Sequence, residues 1–229
     1  MKLGLSNNIK QRGGSSWTPD SISSLIHWYK HETGITNSAG GAPSNGDVIA
    51  RWEDSKGDNN AAAEESNSTW NSTERAIITS TNSGGLNLTQ LSLTTFSVYC
   101  RIKFVDAIGT NDRWLLEAEN ASTNFMRMNN ATSVRAKVGG TGVTYTVPTV
   151  STGRYYNIGI ERHTVSGTGT TKVFVDGTES STGALNGTST WVLDKLSMGK
   201  ADFFKTLIVC DGALTSEDRA ELNTYLDNI

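Results

Sequence analysis

The sequence predicts an antiparallel β-sandwich of two sheets with one α-helix at its C-terminal end, and three observations carry that prediction. Thr, Ser, Asn and Gly together supply 96 of the 229 residues, whereas Pro supplies 3. Ser, Thr and Asn compete for backbone hydrogen bonds and Gly costs backbone entropy, so this composition disfavours long helices. Phe96, Val98, Cys100, Ile102 and Phe104 alternate with Ser97, Tyr99, Arg101 and Lys103, the period-two pattern of a half-buried strand. More than ten short runs of this type are divided by Gly, Ser, Thr and Asn clusters. Strands do not alternate with helices along the chain, which favours a sandwich over a doubly wound sheet.

In chain order, residues 1–16 are polar, include Gly13, Gly14, Ser15 and Ser16, and show neither helical nor strand periodicity. They read as an extended arm, and residues 17–229 as one globular body. Trp17-Thr18-Pro19-Asp20 opens a turn, and Leu25 to Lys30 reads as the first substantial strand. Weaker strand patterns run over Asp47 to Trp52, Glu74 to Thr79, Arg113 to Ala118, Asn124 to Met128, Ser133 to Val138 and Val143 to Val147. Tyr155 to Arg162, Lys172 to Val175, Trp191 to Met198 and Phe203 to Cys210 complete them. Val175-Asp176-Gly177-Thr178 is a hairpin signal, because Asp and Gly tolerate the positive φ that matches strand twist. The segment Leu214 to Leu226 reads as the helix: Thr215 caps it, Asp218 stands three residues on, and Leu222, Tyr225 and Leu226 form its apolar stripe.

A chain of this length hides enough surface to fold without metals or disulfides. The net charge of −3, with no concentrated basic block, leaves nucleic acid no electrostatic footprint. No run approaches the apolar length of a membrane span, and the first residues lack the apolar stretch of a secretory signal. The expectation is a protein made in a cytoplasm, without membrane insertion. Cys100 and Cys210 sit in apolar strand-like runs and read as buried free thiols, paired only if their strands are neighbours.

Trp17-Thr18-Pro19, Leu25-Ile26-His27-Trp28, Trp52-Glu53-Asp54-Ser55-Lys56-Gly57, the strand Phe96 to Phe104, and Val173-Phe174-Val175-Asp176-Gly177 follow one another in a distinctive order. Leu207-Ile208-Val209, Ala213-Leu214-Thr215 and the terminal helix close the series. This order resembles the concanavalin A-like lectin/glucanase superfamily, in particular laminin G-like modules of tailed-phage virion proteins, over about residues 17–229. The resemblance implies a jelly roll of two stacked sheets with the helix outside, serving adhesion, sugar recognition, hydrolysis or assembly. It also implies that the Trp-x-Asp-Ser-x-Gly turn is structural.

Hydrolases of that superfamily carry three alternating acids on one strand. Here Glu117-Ala118-Glu119 supplies two carboxylates on one face and no third. His27, His31 and His163 lie in no nucleophile motif and, with the two cysteines, give no short zinc spacing. The chain therefore reads as non-enzymatic. Asp54, Asp58 and Asn59 are the metal candidates, since hard oxygens around Gly57 suit calcium, although Lys56 opposes an ion. No other cofactor is expected. Trp70, among Asn67, Ser68, Thr69 and Asn71, and Trp114, after Asn111, Asp112 and Arg113, are the sugar candidates. An indole can stack on a sugar while Asn111 and Asp112 bond its hydroxyls; the competing reading packs Trp114 inward beneath its strand and has Trp70 merely anchor a loop.

The first functional expectation is a virion structural protein, a capsid decoration or fibre-associated module. Its arm would attach to other virion proteins through Leu3, Leu5 and Ile9. The alternative is a carbohydrate-binding adhesin for host surface glycans, with glycan hydrolysis last.

Overall fold

A computed structural model describes residues 17–63, 68–79, 85–110, 113–118, 123–165, 168–180, 185–197 and 202–229. The strands in its first half are β1 (Leu25–Tyr29), β2 (Ile35–Asn37), β3 (Ile49–Trp52), β4 (Ala61–Ala63), β5 (Ser68–Asn71), β6 (Ala76–Thr79), β7 (Gly85–Leu93), β8 (Phe96–Lys103) and β9 (Arg113–Glu117). The second half adds β10 (Phe125–Asn130), β11 (Ser133–Val138), β12 (Thr141–Thr146), β13 (Tyr155–Val165), β14 (Thr168–Val175), β15 (Thr178–Glu179), β16 (Leu185–Gly187), β17 (Trp191–Ser197) and β18 (Phe203–Cys210). The helix α1 is Ser216–Asp227.

The pairings are antiparallel and build two sheets of nine strands each. The first runs β15-β14-β13-β8-β18-β6-β5, with β1 on β18 and β16 on β14. The second runs β12-β11-β10-β9-β17-β7-β4-β3-β2. The sandwich predicted from composition and alternation is the observed fold.

The inner faces meet in one apolar core. Phe96, Val98, Cys100, Ile102, Ile158 and Ile160 of the first sheet pack with Leu86, Leu116, Met126, Ala136, Trp191 and Leu196 of the second. A second apolar cluster lies outside the first sheet, where Leu222 and Leu226 of α1 cover Tyr99, Phe174, Ile208 and Cys210. Burying each of those two leucines contributes roughly 2 kcal/mol. Tyr225 completes the stripe with its ring edge-on to Trp28, centroids 5.9 Å apart. Thr215 caps the helix as its sequence proposes: Oγ1 accepts from the Asp218 backbone N–H at 3.0 Å and donates to Oδ2 of Asp218 at 2.8 Å.

That helix corrects one expectation. The alternation over Phe96 to Phe104 suggests a half-buried strand, yet seven consecutive positions of β8, Phe96 to Ile102, are buried. Ser97, Tyr99 and Arg101 face outward but lie under α1 and the segment leading to it. Arg101 reaches Asn157 and Asp227, and Ser97 donates to the Gly212 carbonyl.

The turn between β14 and β15 has positive φ at both central residues, 48° at Asp176 and 74° at Gly177, as its sequence requires. The cysteine strands are indeed neighbours, since β8 pairs with β18. The thiols nevertheless face opposite ways: Cys100 enters the inter-sheet core, and Cys210 enters the cluster beneath α1. Both are free.

Candidate functional site

With α1 on the first sheet, the face that no described helix covers is the outer face of the second. Strand pleating puts alternate residues there, and the register aligns them into rows. One row reads Lys195, Glu117, Phe125, Lys137 and Gly142 from β17 to β12. The adjacent row reads Trp114, Arg127, Arg135 and Thr144. A bulge in β9 sets this arrangement: Leu115 and Leu116 are both fully buried, so Trp114 and Glu117 both turn outward.

Trp114 is half-buried, and its ring meets Phe125 edge-on with centroids 4.9 Å apart. The Arg127 guanidinium lies over both rings, 4.8 Å from the Trp114 centroid and 5.0 Å from that of Phe125. Such stacking holds a planar cation at an aromatic surface. Burial, and then the neighbouring Arg135 charge, pull Arg127 below the ordinary arginine value, which still leaves it charged at neutral pH. Glu117 faces Lys195, with Oε1 3.9 Å from Nζ.

The other sequence candidates are placed differently. Trp70 is only 9% exposed and belongs to the inter-sheet core, so it presents no open ring. Its position follows from β5, whose backbone joins the Val48 bridge and whose pattern alternates buried and partly buried residues. Asn111 and Asp112 lie outside the described residues, as do Glu119 and the arm residues Leu3, Leu5 and Ile9.

Of the metal candidates, Asp54 is buried, Asn59 is buried and Asp58 is exposed. Asp54 Oδ1 accepts from the backbone N–H groups of Trp28 at 2.9 Å and Lys56 at 3.0 Å. Its Oδ2 lies 2.6 Å from Nδ1 of His27. Asn59 exchanges two hydrogen bonds with the Thr89 backbone, at 2.8 and 2.6 Å. A Cβ on Gly57 would stand 2.8 Å from Asp54 Oδ2 and 3.1 Å from His27 Nδ1, which accounts for glycine at that turn. Calcium needs about six to eight oxygens and would have to break these bonds to use Asp54. Among the described residues, no group of three or more His, Cys, Asp or Glu side chains converges.

The remaining histidines are also engaged. His31 Nε2 lies 2.8 Å from the Arg75 carbonyl, and His163 Nε2 lies 2.7 Å from Oε2 of Glu161. Sequence reading found Trp114 but missed Phe125, Arg127 and Arg135 beside it. The signal was present in the alternation of Phe125 to Asn130 and Ser133 to Val138. Reading it required folding those runs about the Asn130-Ala131-Thr132 turn.

No protein-family model matches the chain, and no curated protein matches it. Solved structures do. The Trypanosoma rangeli sialidase in complex with 2,3-difluorosialic acid superposes with a TM-score of 0.60 at 12% identity, over 98% of this chain and 36% of that one. A botulinum neurotoxin type C structure, titled for cell entry dependent upon interaction with two ganglioside molecules, gives a TM-score of 0.56 at 11% identity. It covers 89% of this chain and 51% of the other. The binding domain of botulinum neurotoxin DC in complex with rat synaptotagmin II gives 0.59 at 12% identity, over 89% and 52%. This chain thus spans about a third of the sialidase and about half of the toxin chains. At these identities the likeness defines a fold class: the chain is a two-sheet β-sandwich of the kind built into those larger proteins.

Proposed function

We propose that this chain is a non-enzymatic carbohydrate-binding sandwich that holds its ligand on the outer face of the second sheet. The observation that carries the reading is Trp114, half-buried and braced by Phe125 and Arg127 on a face without a covering helix. A tryptophan fixed in this way offers apolar area at low entropic cost, and flanking polar groups can bond sugar hydroxyls. The neighbours add support through their ligands, sialic acid for the sialidase and gangliosides for the toxin.

This order reverses the one drawn from the sequence, which put virion assembly first. Nothing in the neighbours favours a virion role, and the arm that would serve it lies outside the described residues. Hydrolysis has less support still: the outward carboxylate Glu117 faces Lys195, and Glu119, the other acid of its motif, lies outside the described residues.

The test is a glycan array probed with the full chain and with Trp114→Ala. Binding that disappears in the variant, with an unchanged thermal melt, supports the reading. A well-folded chain that binds no glycan rejects it.

A further inference from the structure

Arg127 and Arg135 stand directly opposite each other across β10 and β11. Like charges in that position destabilise a sheet. The chain carries 23 acidic residues against 20 basic ones, so opposite charges were available for the site. Lys137 adds a third cation two residues along the same face of β11, and Arg135 has no ion pair among the described residues. Among the described residues, the nearest row brings one acid, Glu117, which faces Lys195.

The surroundings suit a small hydroxylated anion. Arg135 can present paired N–H donors to a carboxylate or sulfate, and an anion beside the two guanidiniums relieves their repulsion. The aromatic pair fixes the plane of Arg127. Gly142, beyond Lys137, leaves the edge of the patch low: a Cβ there would come 3.1 Å from Lys137 Cγ and 3.8 Å from Arg135 Nε. Thr144 on the same edge strand is exposed. Three cations on a chain of net negative charge are few for a nucleic-acid backbone, whose affinity comes from neutralising many phosphates.

We propose that the ligand of this face is an acidic saccharide, its carboxylate or sulfate held between Arg127 and Arg135 while its ring lies against Trp114. The proposal rests on the carbohydrate-binding reading and deepens it by naming the charge of the sugar.

The experiment titrates the full chain with three oligosaccharides of one backbone: neutral, uronate-bearing and sulfated. An acidic peptide and a single-stranded oligonucleotide are run alongside. At least one acidic sugar is expected to bind about tenfold or more tighter than the neutral parent. Arg135→Gln should remove that advantage by lowering acidic binding far more than neutral binding, and Arg135→Lys should restore only part of it. Whichever acidic sugar binds tighter identifies the anionic group.

Because Arg135 is half-exposed, Arg135→Gln should fold, and it should melt no lower than the parent once the facing charge is gone. A second variant, Lys137→Gln, should weaken acidic binding less. Equal affinity for neutral and acidic sugars, with both lost in Trp114→Ala, overturns the acidic assignment and leaves sugar binding standing. Capture of the peptide or oligonucleotide through Arg135, with no sugar bound, overturns both.

Discussion

Arg219 of α1 and Glu161 of β13 meet in two parallel hydrogen bonds, each 2.7 Å long. Glu161 is fully buried, and Tyr99 donates to its Oε1. The same carboxylate lies 2.7 Å from His163. The Glu161 hydrogen bonds hold the Arg219 guanidinium above its ordinary value. This buried ionic anchor, together with the Arg101–Asp227 pair, fixes the helix whose leucines bury the outer side of the first sheet.

Removing one partner strands a buried charge. Arg219→Met is expected to cost about 3 to 5 kcal/mol, because Glu161 keeps its desolvation cost without its cation. The double variant Arg219→Met/Glu161→Gln should recover a substantial part of that loss. Urea unfolding of the two singles and the double gives the coupling directly. A double variant as unstable as the summed singles removes the anchor from this account.

Gly159 shares the helix-covered face. It stands opposite Tyr99, whose ring occupies the space a Cβ would need. The glycine makes room for the ring that carries the phenol to Glu161. Gly159→Ala must displace Tyr99, and overpacking of this kind is expected to cost about 3 kcal/mol. Replacing Tyr99 by Leu in that background should return part of the loss, which thermal melts of both variants would measure.

How much of this was legible beforehand depended on whether the signal was local. Ser133–Val138 matches its predicted bounds because its apolar residues stay in phase, and Phe203–Cys210 does so as a nearly continuous apolar run despite a bulge between Phe204 and Thr206. The nine-residue strand Gly85–Leu93 escaped notice because its leucines fall at 86, 88, 91 and 93 and change phase midway. Its partner β17 shows the corresponding register shift between Leu193 and Lys195. Trp114 was visible as an aromatic beside polar residues, but so was Trp70, and burial alone separates them. Arg127 and Arg135 became a pair only once the hairpin register was known.

The two thiols give a chemical test of sheet orientation. Burial pushes Cys100 up to about 12, and burial likewise outweighs the Ser24 hydrogen bond to hold Cys210 at about 12. A thiol with so little thiolate at pH 8 reacts slowly. The native protein should therefore show neither cysteine to an aromatic disulfide reagent, and both should titrate in denaturant. Fewer than two thiols after unfolding without reductant would mean that they are bridged, and the opposed orientations across β8 and β18 would be wrong.

Asp54 supplies the acid limit. Burial alone would raise its carboxyl, but His27 and the backbone N–H groups of Trp28, Lys56 and Gly57 outweigh burial and hold it at about 2, below the ordinary 3.8. As pH falls, the unfolded chain takes up the proton first, so stability drains with acidification. Asp54 contributes its full share above about pH 4 and loses it progressively as the pH falls toward about 2. Asp54→Asn loses charge-assisted bonds and is expected to cost about 2 kcal/mol at neutral pH. Its stability should then vary less than the parent's between those two limits. Denaturant midpoints of both proteins across that range provide the measurement. Parallel pH profiles would show that the turn owes nothing to the ionised carboxylate, whereas converging profiles at the acid end would assign the turn's stability to the charge that Trp28 and Lys56 N–H groups receive.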